Sequence, residues 1–242
     1  MPRSIEVDIQ LYRGFTLWYT KMHYSLSQLL DILDGFYGTR QWRAGRDALD
    51  ELVLTILSQN TTDRNSGRAF RELKRTYPNW QEVCDAPVAE LAQVIRVAGL
   101  ADSKAPRIQT VLTHLANDYG VFSLDFLAQM APNDAQTWLT DHPGIGPKTA
   151  ACVLLFAFGM PVVPVDTHIG RVAYRLGLVD TQNPVKAQQL LEHLVPTERK
   201  YAFHMHFIQL GRLICHARSP QCTKCPLMQH CPSAHRLVVT TN

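Results

Sequence analysis

Four cysteines near the C-terminal end of the sequence have the spacing of a metal site. Cys215, Cys222, Cys225 and Cys231 follow the pattern C-x6-C-x2-C-x5-C. Thiolates bind zinc and iron–sulfur clusters, whereas disulfides are disfavoured in a reducing cytosol. The spacing therefore predicts a four-thiolate metal site, and it does not choose between zinc and an iron–sulfur cluster. Four unliganded cysteines are the alternative.

A glycine-rich turn precedes a lysine that could act as a nucleophile. Residues 139–150 read as the end of one helix, a turn with Gly144 and Gly146, and an apolar helix that begins near Pro147. Both glycines are expected to adopt conformations that a β-carbon forbids and to leave N–H groups open to a phosphate. Lys148 then lies where the helix dipole and burial disfavour protonation of its amine, and a neutral amine is what Schiff-base chemistry needs. A plain turn with a phosphate-pairing lysine is the alternative.

A second candidate is Asp166, which follows the short extended run 162–165 and precedes a helical pattern. An aspartate at this place is typical of a helix N-cap, and that is its structural interpretation. The same carboxylate, at the mouth of a pocket, could stabilise a cation or activate a water.

The elements that position these residues are helices. Apolar residues recur with spacings of three and four along most of the chain, for example at Leu49, Leu52, Val53 and Ile56, and no sustained strand alternation occurs. Prolines fall between the helical stretches. The sequence predicts a mainly α fold.

Charge is unevenly distributed. The chain has net charge +3, yet residues 199–242 contain six Lys or Arg and no Asp or Glu, so the first 198 residues carry net −3. A basic C-terminal segment favours a polyanionic partner. No apolar run reaches the roughly 18 residues that a membrane span needs, and no signal sequence is evident. We expect a cytoplasmic protein with no membrane association.

These motifs, in this order, resemble the endonuclease III branch of the helix-hairpin-helix DNA glycosylase superfamily. The resemblance extends over about residues 25–235 and is carried by the following segments: Pro143–Ala150, Val165–His168, the four-cysteine loop, Leu57–Asp63, Gly99–Leu100 and Ser103–Ala105. It implies a two-domain helix-hairpin-helix fold whose Cys215, Cys222, Cys225 and Cys231 hold a [4Fe–4S] cluster, and it thereby favours the cluster over zinc.

The resemblance also implies domain bounds. Residues 1–46 would form an N-terminal extension and a helix that joins the cluster domain, 47–158 a helical barrel that ends in the hairpin, and 159–242 the cluster domain. The active site would lie in the cleft between the domains, with Lys148 and Asp166 on opposite walls.

In such an enzyme Lys148 displaces the damaged base, an iminium forms at C1′, and β-elimination breaks the strand on the 3′ side. Asp166 would stabilise the positive charge. Leu100 and either Gln59 or Asn60 would fill the hole left by the extruded base. Further DNA contacts are expected from the hairpin, a neighbouring helix start and the basic loop: Ser103, Lys104, Gly144, Gly146, Thr149, His168, Arg218 and Lys224. His142 departs from the family pattern, which usually has an apolar residue there.

The expected function is excision of oxidised or saturated pyrimidines, followed by strand cleavage, by a monomer acting on double-stranded DNA with a damaged base or an abasic site. In a bacterium the enzyme would be associated with the nucleoid. One alternative is a mismatch glycosylase for uracil or thymine opposite guanine. The other is a non-catalytic iron–sulfur protein that binds nucleic acid.

Overall fold

The computed structural model describes residues 24–234. The sequence-based expectations for the N-terminal extension (1–23) and for residues 235–242 lie outside these residues. The described part is helical and contains no strand, so the prediction of a mainly α fold is confirmed. Its α-helices are α1 (Leu26–Tyr37), α2 (Ala48–Ser58), α3 (Asp63–Thr76), α4 (Trp80–Asp85), α5 (Val88–Val94), α6 (Ala101–Tyr119), α7 (Pro132–Thr140), α8 (Pro147–Phe158), α9 (Thr167–Arg175), α10 (Pro184–Leu194) and α11 (Lys200–Leu213).

The chain forms two compact units. One comprises 24–41 together with 165–234, and the other is the continuous segment 42–164. The continuous unit 42–164 extends a few residues beyond both ends of the helical-barrel domain expected at 47–158. No helix within 24–234 combines the length and the apolar character that a membrane crossing requires.

The 42–164 unit is built around α8. Residues 149–155 of this helix are all buried, as expected of a helix that is apolar on every side. It packs against α2 and α7. Asp47 caps α2 by accepting from the backbone N–H groups of Leu49 and Asp50, which satisfies two of the donors that a helix start leaves open.

In the other unit, α1 packs against α11 although the two are far apart in sequence. Asp34 on α1 accepts from Arg199 at 2.7 Å and from His206 at 2.7 Å. The His206 ring is fully buried, so this contact joins the helices inside the packed layer. α11 also packs against α9, and Gly211 allows the closest approach: a β-carbon there would lie 2.8 Å from His168 Cβ.

Candidate functional site

The turn between α7 and α8 presents Lys148 at the start of a helix. Gly146 is the N-cap of α8, Pro147 is its first residue, and Lys148 its second. The Lys148 side chain is half-buried, and its ammonium has no hydrogen bond or ion pair within residues 24–234. The structure places Lys148 in the first turn of this helix, as the sequence predicts.

Unpaired backbone donors surround this lysine. Within the described chain the N–H groups of Gly146, Lys148 and Thr149 have no acceptor, and the first bond of the helix runs from Ala150 N–H to the Gly146 carbonyl. Three open donors at the positive end of a helix form a favourable place for a phosphate oxygen.

The two glycines of the turn differ in what they require. Gly144 has φ +85°, and a β-carbon there would collide with the Arg107 side chain. Gly146 has φ −88°, and a β-carbon would meet nothing within 4 Å. The expectation that both glycines adopt forbidden conformations is therefore right for Gly144 and wrong for Gly146, whose backbone is ordinary and faces open space.

Gln59 binds the turn from the end of α2. Its side-chain amide donates to the Gly144 carbonyl at 3.3 Å and to the Thr149 hydroxyl at 3.2 Å, while Arg107 donates to its carbonyl oxygen at 3.2 Å. Thr149 is buried. Its hydroxyl is therefore bonded to Gln59 inside the protein and is not available to DNA. If Thr149 contacts DNA, as the sequence predicts, only its backbone N–H can make the contact.

Asn60 and Leu100 are exposed residues in the left-handed region. Asn60 has φ 54° and Leu100 φ 51°, and 58% of Leu100 is exposed. A left-handed conformation costs an ordinary residue about 1–2 kcal/mol, so the surrounding structure must impose it. The Asn60 side chain makes no hydrogen bond within the described residues, in contrast to Gln59.

Lys104 does not lie where a DNA contact requires it. Only 1% of the residue is exposed, and its ammonium donates to the carbonyls of Leu57 at 2.7 Å and Ala98 at 2.9 Å. Burial, and to a lesser extent the charge of Arg107, lowers its pKa. Lys104 was expected to contact DNA, and the structure corrects this expectation. Its ammonium is buried between the end of α2 and the short turn that precedes Leu100. Ser103 is exposed.

Asp166 lies in the other unit, as the N-cap of α9. One carboxylate oxygen accepts from Ile169 N–H at 2.8 Å, and the other has no partner in the described chain. The residue also lines a cavity of about 520 Å³, together with Arg171, Tyr174 and Arg175. Asp166 is therefore a helix N-cap, which is one of the two roles that the sequence predicts, and it also lines a cavity.

The His168 ring is fixed by a hydrogen bond from Arg171 to its Nδ1. The guanidinium donates to His168 Nδ1 at 3.1 Å, to the Gly211 carbonyl at 2.8 Å and to the Cys215 carbonyl at 2.9 Å. His168 Nδ1 is therefore an acceptor and Nε2 carries the hydrogen. The half-buried ring has its donor edge directed away from Arg171.

The four cysteines line one cavity with apolar neighbours, Ile214 and Met228 among them. Burial raises the pKa of Cys225 to about 11 and also raises the pKa values of Cys222 and Cys231. A bound metal group would hold these sulfurs as thiolates.

The structure brings together the donor set that a thiolate-bound metal group needs. The four cysteine sulfurs line one shared cavity. Arg175 donates to Cys215 Sγ at 3.2 Å and to the His216 and Ala217 carbonyls. Arg218 and Lys224, in the same loop, are exposed.

Sequence reasoning missed three arginines. Arg107 supports the turn, and Arg171 and Arg175 hold the cysteine loop. Arg171 and Arg175 are four residues apart on α9, so they share one face of the helix, and this spacing was the available signal.

Comparison with known proteins gives two family matches. The family described as HhH-GPD superfamily base excision DNA repair protein matches residues 53–197, and the iron–sulfur binding domain of endonuclease III matches residues 215–231. The second match includes all four cysteines, so the chain's metal group is a [4Fe–4S] cluster, and the choice between zinc and iron–sulfur is settled.

The curated relatives include endonuclease III proteins. That of Thermotoga maritima is 34% identical over 76% of this chain and 83% of its own length. The Bacillus subtilis protein is 36% identical over 75% and 80%. An Arabidopsis thaliana protein, named as a candidate DNA glycosylase, is 38% identical over 68% of this chain; the chain spans only 57% of that relative.

Solved structures with a similar fold include a DNA complex of endonuclease III. A trapped covalent intermediate of endonuclease III with DNA has a TM-score of 0.75 at 30% identity, covering 88% of this chain and 97% of that one. A thermostable thymine-DNA glycosylase has a TM-score of 0.72 at 25% identity, covering 87% and 96%.

Proposed function

The chain belongs to the HhH-GPD superfamily of base excision DNA repair proteins, and on this premise we propose that it is a bifunctional DNA glycosylase and AP lyase of the endonuclease III kind. The single observation that carries the proposal is Lys148. Its unpaired amine stands in the first turn of α8 beside three open N–H donors. A monofunctional glycosylase needs no amine nucleophile, whereas a lyase does.

The reaction proceeds from the amine. Lys148 Nζ, once deprotonated, attacks C1′ of the sugar, the C1′–N bond to the base breaks, and the base leaves with the bonding pair. Loss of the second amine proton and opening of the sugar ring give an iminium. Removal of a C2′ proton then expels the 3′ phosphate by β-elimination, and water releases the lysine.

Asp166 is proposed to act on the charged sugar. Its capping oxygen is fixed by Ile169 N–H, which leaves the second oxygen to stabilise the cation or to accept a proton. Lys148 belongs to the 42–164 unit and Asp166 to the other unit. His168, whose donor edge is available, is proposed to bind a phosphate nearby.

The open donors of Gly146, Lys148 and Thr149 are proposed to hold a DNA phosphate. The absence of a side chain at Gly146 then lets the DNA backbone approach closely. Arg218 and Lys224 would add phosphate contacts from the cysteine loop, whose four cysteines would hold the cluster.

Asn60 and Leu100 are proposed as the residues that fill the hole left by the extruded nucleotide. Both are exposed and both are held in the left-handed region. Gln59 is the less suitable of the two polar candidates because its amide is already bonded to Gly144 and Thr149.

We propose oxidised or saturated pyrimidines as the lesions, because loss of the aromatic ring makes the base a better leaving group. Single-turnover excision would be measured on duplexes with 5,6-dihydrouracil, thymine glycol, or uracil or thymine opposite guanine. Faster release of the saturated bases, coupled to strand cleavage, supports the proposal. Preference for the mismatched duplexes would instead indicate the activity named for the thymine-DNA glycosylase neighbour.

We further propose that the enzyme acts as a monomer on chromosomal DNA in the cytoplasm, since one chain supplies both Lys148 and Asp166. Light scattering of the protein with and without an abasic duplex should give one chain per DNA. Two chains per lesion would contradict this.

A further inference from the structure

A buried lysine connects the two turns that carry the proposed hole-filling residues. The Lys104 ammonium donates to the Leu57 carbonyl and to the Ala98 carbonyl, at 2.7 and 2.9 Å. Within the described residues its partners are these two carbonyls, and no carboxylate pairs with it. Burying an ammonium without a counter-ion is unfavourable, so its two carbonyl contacts must meet a structural need.

The first carbonyl belongs to the end of α2. Near this end Gln59 N–H bonds to Ile56 and Thr61 N–H bonds to Ser58, and neither reaches the Leu57 carbonyl. Lys104 satisfies that open acceptor, and a cation is favoured at the negative end of a helix. Asn60 follows three residues later, with φ 54°.

The second carbonyl precedes Leu100. Ala98 ends a short 3-10 turn, Gly99 follows with φ 68°, and Leu100 has φ 51°. The backbone N–H of Lys104 donates to the Leu100 carbonyl at 3.0 Å. Lys104 thus holds the Leu100 turn on both sides, with its side chain before Leu100 and its backbone after it.

We propose that Lys104 is a positioning residue for nucleotide extrusion, which fixes Asn60 and Leu100 at the separation needed to fill the vacated space in the duplex. This inference rests on the proposed function and assigns Lys104 a role in one step of it. An apolar residue of similar length could fill the same volume, but it would leave two buried carbonyls unpaired and both turns free to relax.

The test compares two DNA substrates. Extrusion is required for excision of 5,6-dihydrouracil from a duplex, whereas covalent trapping by borohydride at an abasic site in single-stranded DNA requires no hole to be filled. Lys104→Met should lower single-turnover duplex excision by about tenfold or more, while the rate of single-strand trapping changes by less than about threefold.

Leu112→Ala is the matched control. Leu112 is fully buried eight residues after Lys104 on α6 and takes part in neither carbonyl contact, so this variant loosens packing and leaves both contacts of Lys104 in place. Its melting temperature shows how much loss follows from instability alone. An equal loss on both substrates in Lys104→Met, or the same duplex-specific loss in Leu112→Ala, would overturn the inference.

A double variant tests the same point independently. In a Leu100→Ala background, Lys104→Met should add little further loss of duplex excision, because the residue that it positions is already absent. A full additional loss would contradict the proposal.

If Lys104→Met does not fold, Lys104→Arg replaces it. The larger planar group should displace the two turns and give a smaller loss, which again affects excision from duplex DNA more than trapping on single-stranded DNA. Equal effects on both substrates would contradict the inference.

The two proposals fail differently. If wild-type protein forms no trapped adduct on single-stranded abasic DNA, the lyase function is wrong. If it forms the adduct and Lys104→Met excises as well as wild type, only the role of Lys104 is wrong.

Discussion

The Gln59 amide lies 3.2 Å from the Thr149 hydroxyl, and this hydrogen bond joins the end of α2 to the first turn of the helix that carries Lys148. A second bond from the same amide reaches the Gly144 carbonyl. Gln59 therefore supports the turn, while its neighbour Asn60 is left exposed.

This difference predicts opposite behaviour of the two adjacent variants. Gln59→Ala should lower the free energy of unfolding by about 1 kcal/mol, because it leaves buried Thr149 without its partner. Asn60→Gly, which removes the side chain but tolerates φ 54°, should leave stability unchanged and should slow excision from duplex DNA. Thermal unfolding and single-turnover excision distinguish the two, and a stable but extrusion-defective Gln59→Ala would reverse the assignment.

The two glycines of the turn give a second matched pair. Gly144→Ala should cost about 1–3 kcal/mol of stability, because its φ is +85° and the new methyl group meets Arg107. Gly146→Ala should fold normally, since nothing lies within 4 Å of its β-carbon position. Its affinity for abasic duplex should nevertheless fall, because the methyl group enters the space proposed for a phosphate. Unimpaired binding by Gly146→Ala would contradict the phosphate site.

His142 predicts a pH dependence of stability. Burial lowers its pKa from the usual 6.5, and the charge of His114 acts in the same direction. Its Nδ1 bonds to the Trp138 carbonyl and its Nε2 to His114, which in turn pairs with Asp118.

Because the folded protein binds a proton at His142 less readily than the unfolded chain, the stability from neutral His142 is present above pH 6.5 and is lost as the pH falls below it. Wild type should therefore lose more stability than His142→Leu between about pH 7.5 and about pH 5. Melting temperatures across this range provide the measurement. Parallel curves for the two proteins would show that His142 does not contribute.

Arg175 and Lys224 separate support of the cluster from contact with DNA. Arg175→Leu removes hydrogen bonds to Cys215 Sγ and to two loop carbonyls, so iron should be lost faster in the presence of a chelator. Lys224→Ala, at an exposed position, should retain iron as wild type does. It should reduce the salt dependence of DNA binding by about one unit of slope. Equal iron loss in both variants would contradict this division.

The sequence predicts best what depends on neighbouring residues. Lys148 at a helix start and Asp166 as a cap follow from short local patterns, and the four cysteines are identified by spacing. The internal hydrogen bonds of the Lys104 ammonium and the Thr149 hydroxyl could not be predicted, because their partners Leu57, Ala98 and Gln59 are brought to them only by packing.

The choice of the polar residue that fills the hole also depends on partners that are distant in sequence. Gln59 and Asn60 are adjacent and chemically alike, so sequence could not choose between them. The partners that engage Gln59 are Arg107, Gly144 and Thr149, which are 48 to 90 positions away.

In the proposed reaction the Lys148 amine forms the covalent bond to the sugar. Borohydride reduction of the protein with an abasic duplex tests it most directly, with Lys224→Ala as the control for loss of a different lysine. Wild type and Lys224→Ala should give a trapped adduct, and Lys148→Ala should give none while it still binds the DNA. An adduct of wild-type yield in Lys148→Ala would show that another amine attacks the sugar and that Lys148 is not the nucleophile.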